Sequence, residues 1–300
     1  MSRNELNISS DKNSYEQIKN DLEKLYKSYY CSNNGACKYY DDCLKAAQEN
    51  NYEPKYNFNH AVRLGENYPL IVNDKEVRIV VIGKESLEEN TSVESPGRLA
   101  VNFDKIGGVN PHYRETYRIL CKLMNYNWDF EKNENIEKGN YRRRPDAALT
   151  AFALTNMYRC AFGEYNKKGF KIHRTDEQHK RCGEILRKEI EILKPTILLI
   201  QNADLKAKYI FPETNIRKIS EKNNDKGRLI YNFSSCKDKD NNECYIIQTV
   251  HPTCYGRWYD FVNNYLTDVV NYLREKGALP DLSTECMTAK LNELAVLKNS

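Results

Sequence analysis

The stretch RIVVIGKES, Arg78 to Ser86, decides the fold. It is an apolar run rich in β-branched residues that stops at Gly83 and delivers Lys84, Glu85 and Ser86. Apolar residues at consecutive rather than alternate positions mark a strand buried on both faces, as parallel sheets require. Ligands of open α/β sheets bind beyond the carboxyl ends of the strands, so a glutamate two residues past such a glycine stands over a candidate binding crevice.

Outward from this run, strand and helix patterns alternate. Apolar and aromatic residues recur at helical spacing from Ser14 to Tyr30, and the first core strand spans Val77 to Ile82. A helix begins at Pro111, with Tyr117, Leu120, Cys121 and Met124 as its apolar stripe. The second strand runs from Ala151 to Met157. Thr175 or Asp176 caps a long helix that Lys194-Pro195 ends before the third strand, TILLIQ. Residues 214 to 244 are polar and read as a hairpin excursion around RLIYNF. The fourth strand, YIIQTV, ends at His251, and helices follow from Trp258 to Arg274 and from 284 to 298. This order predicts an α/β fold: a three-layer α/β/α sandwich around a central four-stranded, mainly parallel sheet. The chain reads as one domain, with an N-terminal helical, cysteine-bearing extension over 1–70, a core over 77–275 and a helical tail over 276–300.

Composition sets the outer bounds. The 300 residues are 40% hydrophobic, enough for a substantial core, and the 29% charged content indicates a soluble globular protein. The polar N-terminus and the lack of a bilayer-length apolar run predict a cytoplasmic chain without a membrane partner. A net charge of +4 permits nucleic-acid binding without demanding it. Ten cysteines in a reducing compartment point to metal ligation or chemistry rather than disulfides. Cys31, Cys37 and Cys43 cluster in CSNNGACKYYDDC, Cys160 closes the strand-like run ALTNMYRC, and Cys182 opens CGEILRKEIEIL. Cys121, Cys236, Cys244, Cys254 and Cys286 show no ligand spacing and read as small hydrophobes.

RIVVIGKES, ALTNMYRC, CGEILRKEIEILKPTILLIQ and TVHPTCYGR, in this order and spacing, resemble the motifs of the uracil-DNA glycosylase superfamily, most of all its iron–sulfur branch. The resemblance covers residues 77 to 275. It implies a [4Fe–4S] cluster held by Cys160, Cys182 and two of Cys31, Cys37 and Cys43, with zinc as the runner-up for the same ligands. The branch's first cysteine pair reads C-x-x-C, whereas both spacings here are C-x5-C. The glycine motif G-K-E-S-L also mixes two branches, since its acid stands two residues after the glycine.

Hydrolysis of an N-glycosidic bond builds positive charge on the sugar and negative charge on the departing base. Glu85 can orient or deprotonate the attacking water and stabilise the sugar cation, and His251 can donate a hydrogen bond to the pyrimidine O2. Base flipping then requires a stacking surface and an edge reader. Phe103 resembles the stacking aromatic, though it reads equally as core, and Asn156 resembles the base reader, with Lys84, Ser86 and Leu87 lining the same pocket. Thr253, Tyr255 and Arg257 fall in the segment that enters the DNA minor groove in the family, where Tyr255 can wedge and Arg257 can hold a phosphate. Tyr255 and Trp258 read equally as anchors of the following helix, and YRRRP, 141 to 145, is a basic turn or a phosphate contact.

Leu87 stands where a tyrosine excludes 5-substituted pyrimidines in one branch. Two substrates follow: uracil by default, or a bulky 5-modified cytosine such as glucosylated hydroxymethylcytosine in phage DNA, with a role in repair or in antiviral defence. The alternative is a non-catalytic iron–sulfur module that binds nucleic acid or senses damage. A zinc hydrolase finds no clustering among the five histidines, at 60, 112, 173, 179 and 251.

Overall fold

All five residues of Ile79–Gly83 are buried in the computed structural model of the chain, which describes residues 8–29, 37–57, 62–65, 67–83, 111–126, 151–166, 169–203, 205, 209–211, 215–252 and 254–296. In chain order the first half forms β1 (Ile8–Ser10), α1 (Lys12–Tyr29), α2 (Tyr40–Gln48), β2 (Glu53–Asn57), β3 (Arg63–Leu64), β4 (Leu70–Val72), β5 (Lys75–Val77), β6 (Ile79–Gly83) and α3 (Pro111–Leu123). The second half forms β7 (Phe152–Asn156), β8 (Cys160–Asn166), β9 (Gly169–His173), α4 (Asp176–Leu193), β10 (Ile197–Gln201), β11 (Ile216–Asn223), β12 (Leu229–Lys237) and β13 (Glu243–Thr249). Helix α5 (Tyr255–Asp260), a π-helical turn (Phe261–Tyr265), α6 (Leu266–Glu275) and α7 (Thr284–Val296) complete it.

The fold is mixed α/β around a seven-stranded sheet of order β11-β12-β13-β10-β6-β7-β3. β13, β10, β6 and β7 run parallel, with Ile82 opposite Ile200 and Gly83 opposite Asn156. These are the four strands expected from the sequence. The sheet is wider than expected because β12 pairs antiparallel with β13, β11 with β12, and β3 with β7. Residues 216–237 are therefore part of the main sheet rather than an excursion from it. β1-β4-β5 and β2-β8-β9 form two further three-stranded sheets.

Alternation of side chains along a strand gives each face of the parallel strands its own core. Ile79, Val81, Leu154, Leu199 and Ile247 pack with Ile119 and Leu120 of α3, with Trp258, Phe261 and Leu273, and with Met287 of α7. Val80, Ile82, Ala153, Leu198 and Ile246 pack on the other face with Leu22 and Tyr26 of α1 and with Leu186 and Leu193 of α4.

Helix α4 starts where its sequence says it should. The Thr175 hydroxyl accepts from the Gln178 N–H and the Gln178 Oε1 accepts from the Thr175 N–H, both at 3.2 Å, closing a capping box. It ends at Lys194, which takes a left-handed conformation (φ 46°) before Pro195. Among the described residues no helix is long and apolar enough to cross a membrane.

Candidate functional site

Parallel strands end at one edge, and here that edge gathers the ends of β6, β7, β10 and β13. The strand that follows β7 in the parallel set, β10, lies on the opposite side of β6, so the connections diverge between β6 and β10. Such a switch point opens a crevice at the carboxyl ends of the strands. At strand spacings near 4.8 Å, the ends of β7 and β13 stand about 14 Å apart across it.

Gly83 and Asn156 are register partners at this edge, and the Met157 N–H donates to the Gly83 carbonyl at 3.0 Å. A Cβ on Gly83 would sit 2.5 Å from the Asn156 Oδ1, closer than any side chain tolerates. Glycine here is thus set by the approach of the Asn156 amide, which is half-buried. His251 follows β13 by two residues, is also half-buried, and its carbonyl accepts from the Cys254 N–H at 2.8 Å in the turn that opens α5.

Beyond that turn Tyr255 is 46% exposed and stacks on Tyr259, with ring centroids 6.2 Å apart. Arg257 donates through Nη1 to the Leu229 carbonyl at 3.0 Å, so part of its fork is spent on the start of β12. Trp258 is fully buried and anchors the helix in the core, which assigns the anchoring role to it rather than to Tyr255. Lys84, Glu85, Ser86, Leu87, Phe103, Thr253 and the YRRRP run lie outside the described residues.

The sequence missed what fixes this edge from behind. Gln201, fully buried at the end of β10, exchanges hydrogen bonds with the Thr116 hydroxyl of α3 at 2.8 and 2.9 Å. Gln248 donates to the carbonyls of Asn202 and Leu205 at 2.9 and 2.6 Å, tying down the chain after β10.

The cysteines form a second constellation, at a corner built by α2, β8 and α4. Cys160 does not close the second strand; β7 ends at Asn156 and Cys160 opens β8, where it faces Asn57 of β2. Cys43 lies on the buried side of α2 with Ala47, packed on Cys160 and Phe162. Cys182 lies in the second turn of α4 and is buried. The Cys160 thiol donates to Cys43, which together with burial holds the Cys160 proton on well above the usual thiol range and lowers Cys43. Burial pushes Cys182 up to about 12, against a hydrogen bond from the Arg159 main-chain N–H. Burial raises Cys37 as well.

Cys43 and Cys160 thus share one packed cluster and Cys37 and Cys182 the adjoining core, while Cys31 lies outside the described residues. Among the described residues no three His, Cys, Asp or Glu side chains stand close enough to ligate one ion as they are. The donor set suits a thiophilic metal; the thiols would have to close in around it. Gln178 Nε2 reaches the Cys160 carbonyl at 3.2 Å and its sulfur at 3.8 Å, so the capping box of α4 also holds this corner.

Behind the corner runs a buried polar network. Arg159 and Glu189, 1% and 0% exposed, form an ion pair with Nη2 2.5 Å from Oε2. The Thr155 hydroxyl donates to the same oxygen at 2.8 Å, and the Tyr26 hydroxyl donates to Oε1 at 2.7 Å while accepting from the Val62 N–H at 2.8 Å. One signal for it was legible: Glu189 interrupts the apolar stripe Cys182, Leu186, Leu193 of α4. The chain matches no protein-family model and no characterised protein.

Proposed function

We propose that this chain is a DNA glycosylase that hydrolyses the N-glycosidic bond of a flipped-out pyrimidine and leaves an abasic site. The fold it implies is the three-layer sandwich of the uracil-DNA glycosylase superfamily. The observation that carries the reading is the convergence of Gly83, Asn156 and His251 at the carboxyl edge of the parallel sheet, astride its switch point. Motifs separated by as many as 168 positions in the chain thus reach one crevice, as this reading requires. That span is the difference between 251 and 83.

In this reading the Asn156 amide, held against Gly83, reads the base edge, and its two faces can pair with uracil or cytosine. His251 donates to the O2 that becomes anionic as the bond breaks, and Glu85, two residues past Gly83, orients the water and offsets the positive charge on the sugar. Phe103 stacks on the extruded base, and Tyr255, exposed at the start of α5, fills the gap left in the duplex. Uracil is the first substrate and a 5-modified cytosine the second, because Leu87 removes the aromatic wall that would exclude a 5-substituent.

Cys160, Cys182 and two of Cys31, Cys37 and Cys43 would hold a [4Fe–4S] cluster or a zinc ion. When bound, either supplies a cross-link between the N-terminal segment and the sheet rather than chemistry on the base. Iron, sulfide and zinc contents of anaerobically purified protein separate the two.

The functional test is incubation with duplexes that contain uracil or glucosylated hydroxymethylcytosine, followed by detection of abasic sites. Release from one of them by the wild type, and none by Glu85→Gln, is the expected result. Tight DNA binding without release from either, unchanged by Glu85→Gln, would replace this reading with that of a non-catalytic binding module.

A further inference from the structure

The carboxyl edge of the sheet extends beyond its parallel strands. Tyr231 pairs with Thr249, the last residue of β13, yet β12 begins two residues earlier, at Leu229, so its first residues overhang the end of β13. β11 reaches the same level, with Asn223 opposite Leu229, and the turn that joins the two strands crowns the overhang. That turn is closed on itself. The Asn224 N–H donates to the Arg228 carbonyl at 2.9 Å, and the Asn224 Oδ1 accepts from the main-chain N–H groups of Lys226 and Arg228 at 3.1 and 2.9 Å. Gly227 supplies the left-handed residue, with φ 70°.

Its charge is one-sided. Lys222, Lys226 and Arg228 are exposed, and among the described residues no carboxylate stands within ion-pair distance of any of them. Asp225 is the one acid between Lys222 and Arg228, and Glu221 before them is already paired with Lys218. The turn at the other end of β12 makes the contrast. There Lys237 and Lys239 alternate with Asp238 and Asp240, Asp238 accepts from the Asp240 and Asn242 N–H groups, and Lys194 bridges Asp240 at 3.2 Å. Two turns on one strand thus differ in charge balance, and the cations are in excess at the edge where the crevice opens.

The cationic turn is also tied to the candidate DNA contact. Arg257 Nη1 donates to the Leu229 carbonyl at 3.0 Å, which joins the foot of this hairpin to α5 and its exposed Tyr255. From β12 to β6 is three strand spacings, about 14 Å, the length of about four base-pair steps of duplex. Exposed cations on a fixed turn suit phosphate oxygens, which position a protein on DNA without reading its sequence. We propose that the β11–β12 turn is a second DNA-contacting surface, on which Lys222, Lys226 and Arg228 hold the phosphate backbone of the duplex that flanks the extruded nucleotide. The inference rests on the reading of DNA as the substrate, and adds to it a contact that gives affinity independently of the base and of the chemistry.

The experiment measures binding of the full-length protein to a fluorescent duplex of unmodified bases, by anisotropy, from about 50 to 200 mM salt. Lys226→Gln/Arg228→Gln removes two phosphate contacts. It should lower the slope of log affinity against log salt by about 1.8 and weaken binding at 0.1 M salt by about 10-fold or more. Lys222→Gln alone should lower the slope by about 0.9. Lys237→Gln/Lys239→Gln removes the same charge at the far end of β12, about 30 Å away and well beyond a Debye length of about 10 Å, and should bind like the wild type. All variants should keep the wild-type thermal midpoint. Wild-type slope in Lys226→Gln/Arg228→Gln, or equal losses in the two double variants, would overturn the surface and leave the glycosylase reading to its own base-release assay. A wild type that binds with the expected hairpin effect but releases no base would sustain the surface and overturn the glycosylase reading. A wild type that binds no duplex would overturn both.

Discussion

The cysteine corner and the carboxyl edge of the sheet begin within the same six residues, Thr155 to Cys160, yet they are built on opposite terms. At the corner Thr155, Arg159, Gln178 and Glu189 are all buried and paired, and Cys160 and Cys182 are sealed among them. At the edge Asn156 and His251 are half-buried and Tyr255 stands in solvent. Groups that are closed in and mutually satisfied hold the chain together and are costly to change; groups left partly open at the end of a rigid strand can meet a ligand. Changes at the corner should therefore cost stability first, and changes at the edge should cost function first.

The largest effect is expected from Arg159→Leu. It strands the Glu189 carboxylate in the core and should lower the unfolding free energy by about 3–5 kcal/mol in chemical denaturation. Leu186→Ala, beneath the same helix in the core shared with β6, should cost about 2–5 kcal/mol. Gly83→Ala sharpens the comparison from the other side. The new methyl group must displace the Asn156 amide, so base release should fall far more than the overpacking cost of about 1–3 kcal/mol would account for. Thr175→Ala removes the cap of α4 and should cost about 1 kcal/mol, visible as an earlier denaturation midpoint with unchanged slope.

The smallest effect is expected at the rim of the corner. The Tyr29 hydroxyl, donating at 2.6 Å, holds the Glu184 carboxyl below the usual carboxylate range. A carboxyl lowered on folding stabilises the protein above its unfolded pKa, and that contribution fades as pH falls through the folded value. Glu184→Gln should therefore cost about 0.5 kcal/mol at neutral pH, discounted for its partial exposure, and the gap to the wild type should close on acidification below the ordinary carboxylate range.

The sequence makes these two regions unequally legible, for physical reasons. The four parallel strands are visible because burial on both faces demands unbroken apolar runs such as IVVIG and ILLIQ. β12 is half legible: LIYNF reads as a hairpin strand, but Ser234, Ser235 and Cys236 are buried yet small and polar or nearly so, which hides its end and its place in the main sheet. α2 hides because its buried stripe is only Cys43 and Ala47, four residues apart. The start of β8 at Cys160 depends on pairing with β2, a partner about a hundred residues earlier that no local pattern records. Likewise the ring of donors around Glu189 comes from α1, β7 and the turn after it, so only the interrupted stripe of α4 hinted at a buried charge. At the edge, Gly83, Asn156 and His251 could be read individually, but the contact that makes Gly83 necessary is a matter of register between β6 and β7.

The most direct test of the glycosylase reading measures base release and thermal unfolding on the same preparations of wild type and Glu85→Gln. The account predicts abasic sites from a uracil or 5-modified cytosine duplex with the wild type, none with the variant, and the same unfolding midpoint for both. A folded wild type that releases no pyrimidine from either duplex, or a Glu85→Gln protein that releases it as fast as the wild type, would contradict it.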